Sequence, residues 1–479
     1  MENHGDMPIE DFRSNAHKLV DWMADYIKDI EKFPVLGNVK PGDIKSKLPM
    51  HPPIKGEDMD SVFRDVDDIV VPGMNHWNHP AFMAYFNSTS SGPGIMGEML
   101  SAVFNTNGMI WKSCPSSTEL EEVVLKWLRE MIGLPDDFFG IVYDTASIST
   151  FHAVAAAREY ADPLIREKGF AHPGNKSMIL YCSEHAHSSV EKAAITLGTG
   201  LEGIRKIQCD ENFSMIPEKL EEAIQTDKKN GLLPMCVVAS VGTTSSTAID
   251  PVKKIAAICK KENVWLHVDA AHAGTAAIVP EMKFLIDGCD QADSFVVNPH
   301  KWMSVPIDFS VLYIKKPGLL KRSFSLVPDY LKTAEERVVI NYMDYGLQLG
   351  RRFRSLKLWF IIRYFGVEGI INNLRENLRI GKEFSKWIDE HKVFERLAPV
   401  PLSTICFRAV PPNMTDEKEI NSFNEKLFEA INATGKVFLS QTKLNGRFTI
   451  RVVFSGIRTE EKHAGILEEV LDTELEKLI

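Results

Sequence analysis

The sequence predicts an α/β fold with a mainly parallel sheet, and three observations support this class. Five short and mostly apolar runs lie in the middle of the chain, at 178–182, 235–242, 264–269, 295–298 and 310–314. These runs show little alternation of polar and apolar residues, which is typical of strands covered by helices on both faces. Helical patterns separate several of the runs, as expected when crossover helices join parallel strands.

Two of these helical patterns have a clear start. The stretch 215–231 has Pro217 near its beginning, and the stretch 250–263 has Pro251. Proline is tolerated in the first turn of a helix, because the N–H that it lacks would have no acceptor there. We therefore expect a helix over each stretch, packed on a face of the sheet.

The front of the chain predicts helices rather than strands. Apolar residues recur at helical spacing over 8–34, and a second helix is expected over 59–69, before Pro72. Together they offer too little apolar surface to fold alone. We expect this segment to pack on a larger body.

The back of the chain predicts a smaller α+β domain. A long helical stretch is followed by an apolar run, a hairpin with Asn445-Gly446 at its turn, and a last helix. The predicted organisation therefore has three parts: an N-terminal helical segment (1–91), a large α/β domain (92–355) and a small C-terminal domain (356–479).

Composition excludes several classes of protein. The chain has 479 residues, 44% of them hydrophobic and 25% charged, with a formal net charge of −10. That charge argues against nucleic-acid binding, and no signal peptide or membrane span is predicted. The seven cysteines are scattered and include no C-x-x-C pair, which indicates reduced thiols and a cytoplasmic location. No metal site is expected.

The stretch DSFVVNPHKWMSVP, residues 293–306, places Lys301 directly after a predicted core strand. Most lysines lie on solvated faces, but this one has apolar neighbours on both sides. Loss of hydration lowers the pKa of a lysine amine. A neutral amine is a nucleophile that can form a Schiff base with a carbonyl group.

Other polar residues follow the ends of neighbouring strands, where open parallel sheets bind ligands. Asp269 ends the run VWLHVD and is either a helix cap or a carboxylate that keeps a ring nitrogen protonated. His185 and His187 follow the run at 178–182 and are either structural or able to stack on a flat ligand. Hydroxyl residues of the stretches 143–150 and 241–250 cap helices or bind phosphate. Together these features predict pyridoxal 5′-phosphate, which pairs a lysine with its aldehyde and an aspartate with its ring nitrogen.

The motifs that carry this pattern resemble the group II pyridoxal-phosphate decarboxylases, and among them the aromatic-L-amino-acid decarboxylases. They occur in the family order over nearly the whole chain: HWNHPAFMAYF (76–86), AHSSVEKA (186–193), VGTTS (241–245), HVDAA (267–271), NPHKW (298–302) and LGRRFRSLKLW (349–359). The resemblance implies the aspartate-aminotransferase-like fold, which is pyridoxal-phosphate fold type I. It also implies an intertwined homodimer with active sites at the interface.

The resemblance assigns roles to individual residues. Lys301 is expected to bind the cofactor covalently, Asp269 to face its ring nitrogen, and His187 and Ala271 to lie on the two faces of its ring. The expected phosphate and orienting set is Thr145, Ala146, Ser147, Thr244, Asn298 and His300. The expected substrate pocket consists of Trp77, Tyr85, Phe86, Asn107, Met109 and Gly350.

The implied reaction is decarboxylation of an aromatic L-amino acid to an arylalkylamine and carbon dioxide. Tyr330, in SLVPDYLKT, matches the loop tyrosine that protonates the α-carbon after carbon dioxide leaves. The alternative is an aromatic acetaldehyde synthase, whose members usually lack this tyrosine or the histidine that matches His187. A non-catalytic relative would lack Lys301, Asp269 or Tyr330, and all three are present.

The preferred amino acid stays open among tryptophan, tyrosine, phenylalanine, DOPA and 5-hydroxytryptophan. Gly350 occupies a position that is often serine in histidine- and plant tyrosine-selective members, so a larger ring has room. Asn87, Asn107 and Met109 depart from the animal members. Asn107 is either a polar contact for the substrate ring or a surface residue at the dimer rim.

Overall fold

The computed structural model of the chain describes residues 5–326, 335 and 337–479. Its helices are α1 Ile9–Lys28, α2 Asp43–Lys47, α3 Met59–Asp65, α4 Gly92–Phe104, α5 Pro115–Ile132, α6 Ala146–Ala161, α7 Ile165–Lys168, α8 Ser189–Thr196, α9 Pro217–Lys229, α10 Val252–Glu262, α11 Ala273–Ala276, α12 Pro299–Trp302, α13 Pro317–Phe324, α14 Ser355–Glu390, α15 Glu417–Ala433 and α16 Glu461–Leu478. Its strands are β1 Phe139–Tyr143, β2 Met178–Ser183, β3 Ile204–Ile207, β4 Leu233–Ser240, β5 Trp265–Asp269, β6 Ser294–Val297, β7 Ser310–Ile314, β8 Phe394–Arg396, β9 Thr404–Ala409, β10 Ser440–Leu444 and β11 Arg447–Val453.

The large sheet has the order β1-β7-β6-β5-β4-β2-β3 within the described residues. Strands β3, β2, β4, β5 and β6 run parallel, whereas β7 is antiparallel to both β6 and β1. Apolar clusters cover the sheet on both faces, which explains the mostly apolar strands. The predicted mainly parallel sheet is confirmed.

The smaller sheet has the order β10-β11-β9-β8 and is antiparallel. Helices α14, α15 and α16 pack on it and share its apolar core. The predicted hairpin is confirmed as β10 and β11. Asn445 and Gly446 both have positive φ, at 50° and 78°, which a two-residue hairpin turn of this hand requires.

The predicted helices are present with shifted ends. Helix α1 ends at Lys28, and a short 3₁₀ turn, Ile30–Lys32, continues toward Pro34. The predicted long helix is α14, which bends where Gly366 leaves the helical conformation at φ 63°. No residue of α1 is buried within the single chain, in line with the expectation that the front segment needs a larger body.

Part of the N-terminal segment belongs to the core of the small sheet. Residues 81–84 are fully buried there. The backbone of Met83 donates to the carbonyl of Phe438 and accepts from the N–H of Val453. This pairing fixes the chain just before Tyr85 and Phe86. None of the helices in the described part of the chain is long and apolar enough to cross a membrane.

Candidate active site

A cavity lies at the carboxyl ends of the central parallel strands. It is lined by Phe86, Ala146, His187, Ser240, Gly242, Thr243, Thr244, Asp269, Ala271, His272 and Lys301. These residues come from the last positions of β4 and β5, from the segments that follow β1, β2, β4, β5 and β6, and from the segment before α4. The edge at which parallel strands end is where open sheets bind ligands, so the topology brings the predicted cofactor residues together.

Lys301 lies in the short helix α12, directly after β6. Its backbone N–H donates to the carbonyl of Asn298, and its Nζ lies 5.0 Å from the centre of the Phe86 ring. Loss of hydration lowers the pKa of Lys301 to about 8, against an opposing effect of the Asp269 carboxylate. About a tenth of the amine is therefore neutral and nucleophilic at pH 7, far more than for an exposed lysine.

We expect this shift to be visible in the cofactor-free protein. Acetylation of Lys301 by acetic anhydride should be half-maximal near pH 8, because only the neutral amine reacts. Exposed lysines should follow the usual value of about 10.4. In Asp269→Asn the midpoint for Lys301 should fall further, because a carboxylate that favours the charged amine is gone. Mass spectrometry of the labelled peptides provides the measurement, and a Lys301 midpoint equal to that of exposed lysines would contradict the assignment.

Asp269 ends β5 and faces the same cavity. One of its carboxylate oxygens accepts the N–H of Ala271 at 3.1 Å. It does not cap the following helix α11. The capping position of that helix is His272, and no side chain makes a capping hydrogen bond there. The helix-cap interpretation is therefore wrong, and the carboxylate is available to a ligand in the cavity.

His187 follows β2 and lines the cavity. Its Nδ1 accepts the N–H of Ser189 at 3.2 Å and lies 2.9 Å from the hydroxyl of the same residue, which fixes the ring. Loss of hydration lowers the pKa of His187, Asp269 raises it and Lys301 lowers it. His185 instead packs edge-on against Phe213 and does not line the cavity, so the structural interpretation holds for His185.

The predicted phosphate side is the start of helix α6. Ala146 is its first residue, and the first N–H groups of a helix have no acceptor within it. Thr145 is the residue before the helix, and both its N–H and its hydroxyl donate to Asp144, at 2.6 and 3.1 Å. The donors of Thr145 are thus already used within the chain, whereas the N–H groups of Ala146 and Ser147 have no acceptor among the described residues. Ser147 follows Ala146 and does not line the cavity.

The loop after β4 approaches from the other side. Thr243 and Thr244 line the cavity beside Gly242. Gly242 has φ +86°, and a Cβ there would lie 2.8 Å from the Cβ of Ala273, so a larger residue would not fit. Because Gly242 and Ala271 are small, a flat ligand ring has room to lie against this side of the cavity.

Asn298 and His300 lie behind Lys301 rather than in the cavity wall. Both are buried, and Asn298 Nδ2 lies 3.3 Å from His300 Nε2. His300 Nδ1 accepts the N–H of Phe309 at 2.9 Å, and burial lowers the pKa of this histidine to about 3. They support the turn that carries Lys301.

The predicted aromatic wall is only partly next to the cavity. Phe86 stacks on His272 with ring centres 3.9 Å apart. Tyr85 lines an adjoining cavity that shares Phe86 and Thr244. Trp77 stacks on Tyr85 at 5.8 Å. Asn87 is buried and holds the turn, because its amide donates to the Phe82 carbonyl at 3.0 Å.

Asn107, Met109 and Gly350 form a separate cluster that does not line the Lys301 cavity within the single chain. Asn107 Oδ1 accepts the N–H of Arg351 at 2.9 Å, and its Nδ2 contacts the sulfur of Met109 at 3.6 Å. The oxygen of Asn107 is therefore used within the chain. A buried ion pair at 2.7 Å between Arg351 and Glu121 fixes this cluster.

Tyr330 lies outside the described residues. His272 was not among the predicted site residues, although it lines the cavity; the available signal was its position three residues after Asp269. Among the described residues, no group of histidine, cysteine and acidic side chains could hold a metal ion.

These residues fit pyridoxal phosphate. They provide an amine with a lowered pKa for its aldehyde, a carboxylate for its ring nitrogen, an open helix start for its phosphate and a floor of small residues for its ring. The donor and acceptor set therefore matches the cofactor that the sequence predicts.

Comparison with known proteins supports the same conclusion. Residues 41–410 match the family model described as the pyridoxal-dependent decarboxylase conserved domain. The chain is 39% identical to tyrosine decarboxylase 2 of Narcissus pseudonarcissus, over 95% of this chain and 92% of that protein. It is 38% identical to phenylacetaldehyde synthase of Arabidopsis thaliana, over 99% and 97%. The crystal structure of Oryza sativa TDC with PLP and tryptamine superposes with a TM-score of 0.96 at 34% identity, over 99% of this chain and 100% of that chain. The chain therefore belongs to the pyridoxal-dependent decarboxylase family, and pyridoxal phosphate is its cofactor.

Proposed function

We propose that this decarboxylase converts an aromatic L-amino acid into the corresponding arylalkylamine and carbon dioxide. The observation that carries the proposal is the position of Phe86, whose ring lies 5.0 Å from the Lys301 amine. Its neighbour Tyr85 lines the adjoining cavity and stacks on Trp77, and aromatic walls favour a flat apolar side chain on the substrate. Relatives that act on tyrosine and a solved relative with bound tryptamine support the same substrate class.

Each residue of the site has a proposed task. When bound, the cofactor accepts the electrons released at Cα. Lys301 would bind the cofactor aldehyde, Asp269 would keep the ring nitrogen protonated, and His187 and Ala271 would hold the ring. The open N–H groups of α6 and the hydroxyl of Thr244 would hold the phosphate, and Trp77, Tyr85 and Phe86 would enclose the substrate ring. Tyr330 supplies the proton that replaces carbon dioxide.

The test is an incubation of the purified protein, loaded with pyridoxal phosphate, with a mixture of tryptophan, tyrosine, phenylalanine, DOPA and 5-hydroxytryptophan. Chromatography should detect at least one arylalkylamine in equal amount to the carbon dioxide released. Release of amines from glutamate, cysteine sulfinate or histidine instead would reject the aromatic substrate class.

A second candidate is an aromatic acetaldehyde synthase. A relative with 38% identity over 99% of the chain has that activity in its name, so the overall similarity does not separate the two. The presence of His187 and Tyr330 favours the amine product. Ammonia and hydrogen peroxide formed together with carbon dioxide would support the second candidate.

We further propose that the protein acts as a homodimer. Apolar residues of α1 are exposed in the single chain, with Phe12 at 52% and Leu19 at 41%. Helix α4 also exposes Val103 at 69% and Phe104 at 56%. Groups of exposed apolar side chains on one helix favour burial against another chain. Residues 1–91 would supply part of that interface, and the domains 92–355 and 356–479 the site.

In this dimer the cluster of Asn107, Met109 and Gly350 would complete the partner's pocket. Such a placement explains why these residues lie apart from Lys301 in one chain and yet match pocket positions of the family. Light scattering of the holoenzyme should give twice the mass of the chain. A monomeric mass for an active enzyme would reject this arrangement.

Substitution of Gly350 by serine tests the pocket assignment. A Cβ at Gly350 would meet only Asn107 Nδ2, at 3.7 Å, so serine fits without strain. Added volume in a packed pocket costs about 1–3 kcal/mol for a bulky ring. We therefore expect the ratio of tryptophan turnover to tyrosine turnover to fall by about fivefold or more. Gly318→Ser, with nothing within 4 Å of its Cβ, is the matched control. An unchanged ratio in Gly350→Ser would remove Gly350 from the pocket.

A cytoplasmic location is also part of the proposal. All seven cysteines are free thiols in the structure. Free thiols are typical of a reducing compartment. Fluorescence microscopy of the tagged full chain in its native cell type tests the location.

A further inference from the structure

The proposed function leaves the most unusual polar side chain of the cavity without a task. His272 lines the cavity together with Lys301 and Asp269, and it is only 1% exposed. Neither of its ring nitrogens has a hydrogen-bond partner among the described residues. Burial of an unsatisfied polar group costs free energy, so such groups usually have a partner in the working state. A molecule that fills the cavity is the available source of that partner.

Stacking fixes how His272 meets the cavity. Its ring lies between Phe86, with centres 3.9 Å apart and planes at 11°, and Trp302, with centres 4.5 Å apart and planes at 2°. Both faces of the imidazole are therefore covered by aromatic rings. Only the edge of the ring, which carries the nitrogens, is free to make a polar contact.

The charges around His272 favour an anion. Lys301 lies on one side, and the guanidinium of Arg451 lies 4.6 Å over the Phe86 ring that stacks on His272. Arg451 donates to the carbonyls of Ser245 and Tyr85, and its NH2 group is buried without a partner among the described residues. The Asp269 carboxylate also lines this cavity, and its charge raises the pKa of Lys301. Burial above all, and then the two cations, hold the pKa of His272 well below its ordinary value, so the ring is neutral and keeps one N–H donor.

We propose that His272 donates a hydrogen bond from its ring edge to the carboxylate of the bound amino acid. This inference rests on the proposed function, because that carboxylate is the group lost in the reaction. The bond that breaks must be held in one orientation relative to the cofactor ring. A neutral donor on a clamped ring holds the carboxylate in place and stabilises its charge less than an added cation would.

Two competitive inhibitors, one with a carboxylate and one without, measure how much His272 contributes to binding of that group. The probe 3-phenylpropionate has the ring and the carboxylate without the amine, and 2-phenylethylamine has the ring and the amine without the carboxylate. We expect His272→Phe, which keeps a stacking ring and removes both nitrogens, to raise the inhibition constant of 3-phenylpropionate about tenfold. The inhibition constant of 2-phenylethylamine should stay at the wild-type value. A wild-type constant for 3-phenylpropionate, or an equal rise for both probes, would overturn the proposal.

A second variant separates hydrogen bonding from packing. His272→Asn keeps an N–H donor and loses the aromatic ring, so it should retain more of the preference for 3-phenylpropionate than His272→Phe does. If His272 only fills space, the order of the two variants reverses, and the proposal fails. The control is His267→Phe. His267 is also a buried histidine, but it lies within β5, and its Nδ1 is 2.9 Å from the Ser294 hydroxyl. The ratio of the two inhibition constants should not change in this control.

A measurement on the wild-type holoenzyme covers the case in which His272→Phe does not fold. In protein labelled with ¹³C-histidine, the His272 ring signal is the one missing from His272→Asn. It should shift when 3-phenylpropionate is added and stay in place when 2-phenylethylamine is added. No shift with the acid would overturn the proposal. Absence of carbon dioxide release from wild type with every aromatic amino acid would reject the proposed function, whereas normal release with an unchanged inhibitor ratio in His272→Phe would reject this inference alone.

Discussion

Replacement of Lys301 by alanine should abolish decarboxylation, with a loss of about a thousandfold or more. Alanine provides no amine for the cofactor aldehyde. The other proposed cofactor contacts, at Asp269 and at the start of α6, are unchanged in this variant, so some cofactor should still bind noncovalently. The covalent attachment is measured by borohydride reduction followed by peptide mass spectrometry.

In the wild type the cofactor mass should be found on the peptide that contains Lys301. In Lys301→Ala it should be absent from every peptide. Lys316→Ala is a suitable control, because Lys316 pairs with Asp293 at 2.9 Å and does not line the cavity. Cofactor attached to another lysine in an active Lys301→Ala protein would show that the assignment is wrong.

Replacement of Tyr330 by phenylalanine should change the product rather than stop the loss of carbon dioxide. Tyr330 lies outside the described residues, so this expectation rests on the match of SLVPDYLKT to the family loop. The α-carbon needs a proton after carbon dioxide leaves, and phenylalanine keeps the ring but has no acidic hydroxyl. Dissolved oxygen should then react at that carbon. The amino acid, oxygen and water would give an aryl acetaldehyde, carbon dioxide, ammonia and hydrogen peroxide.

A product balance in air and under nitrogen provides the measurement. In air, amine output from Tyr330→Phe should fall about a hundredfold while carbon dioxide release continues. Tyr364→Phe makes the same chemical change on an exposed face of α14 and should match the wild type. An equal amine yield from Tyr330→Phe and wild type would show that another group donates the proton.

The central part of the fold was predictable because its strands are continuous and apolar. Strands β4, β5 and β6 are buried along nearly their whole length, so their residues are mostly apolar. Strands β1 and β3 escaped prediction for physical reasons. β1 contains Gly140, whose lack of a side chain leaves room for Tyr313, and β3 is an edge strand with an exposed lysine, Lys206.

The candidate site was predictable where chemistry demands particular residues next to strand ends. Lys301, Asp269 and His187 line one cavity, as expected for residues after β6, at the end of β5 and after β2. The contacts of Thr145 and His272 were not predictable in the same way. The hydroxyl of Thr145 is bonded to Asp144, and the meaning of His272 depends on Phe86 and Trp302, which only the folded chain brings to its two faces.

The burial of residues 81–84 in the small sheet has a consequence for any attempt to shorten the protein. These residues pair with Phe438 and Val453 and are fully enclosed by the apolar core of the C-terminal part. A chain that starts at residue 92 would lose this buried segment together with the front helices α1, α2 and α3. The apolar side chains that now contact residues 81–84 would then be exposed to water. Such a shortened chain should aggregate on expression rather than remain as an inactive but folded monomer.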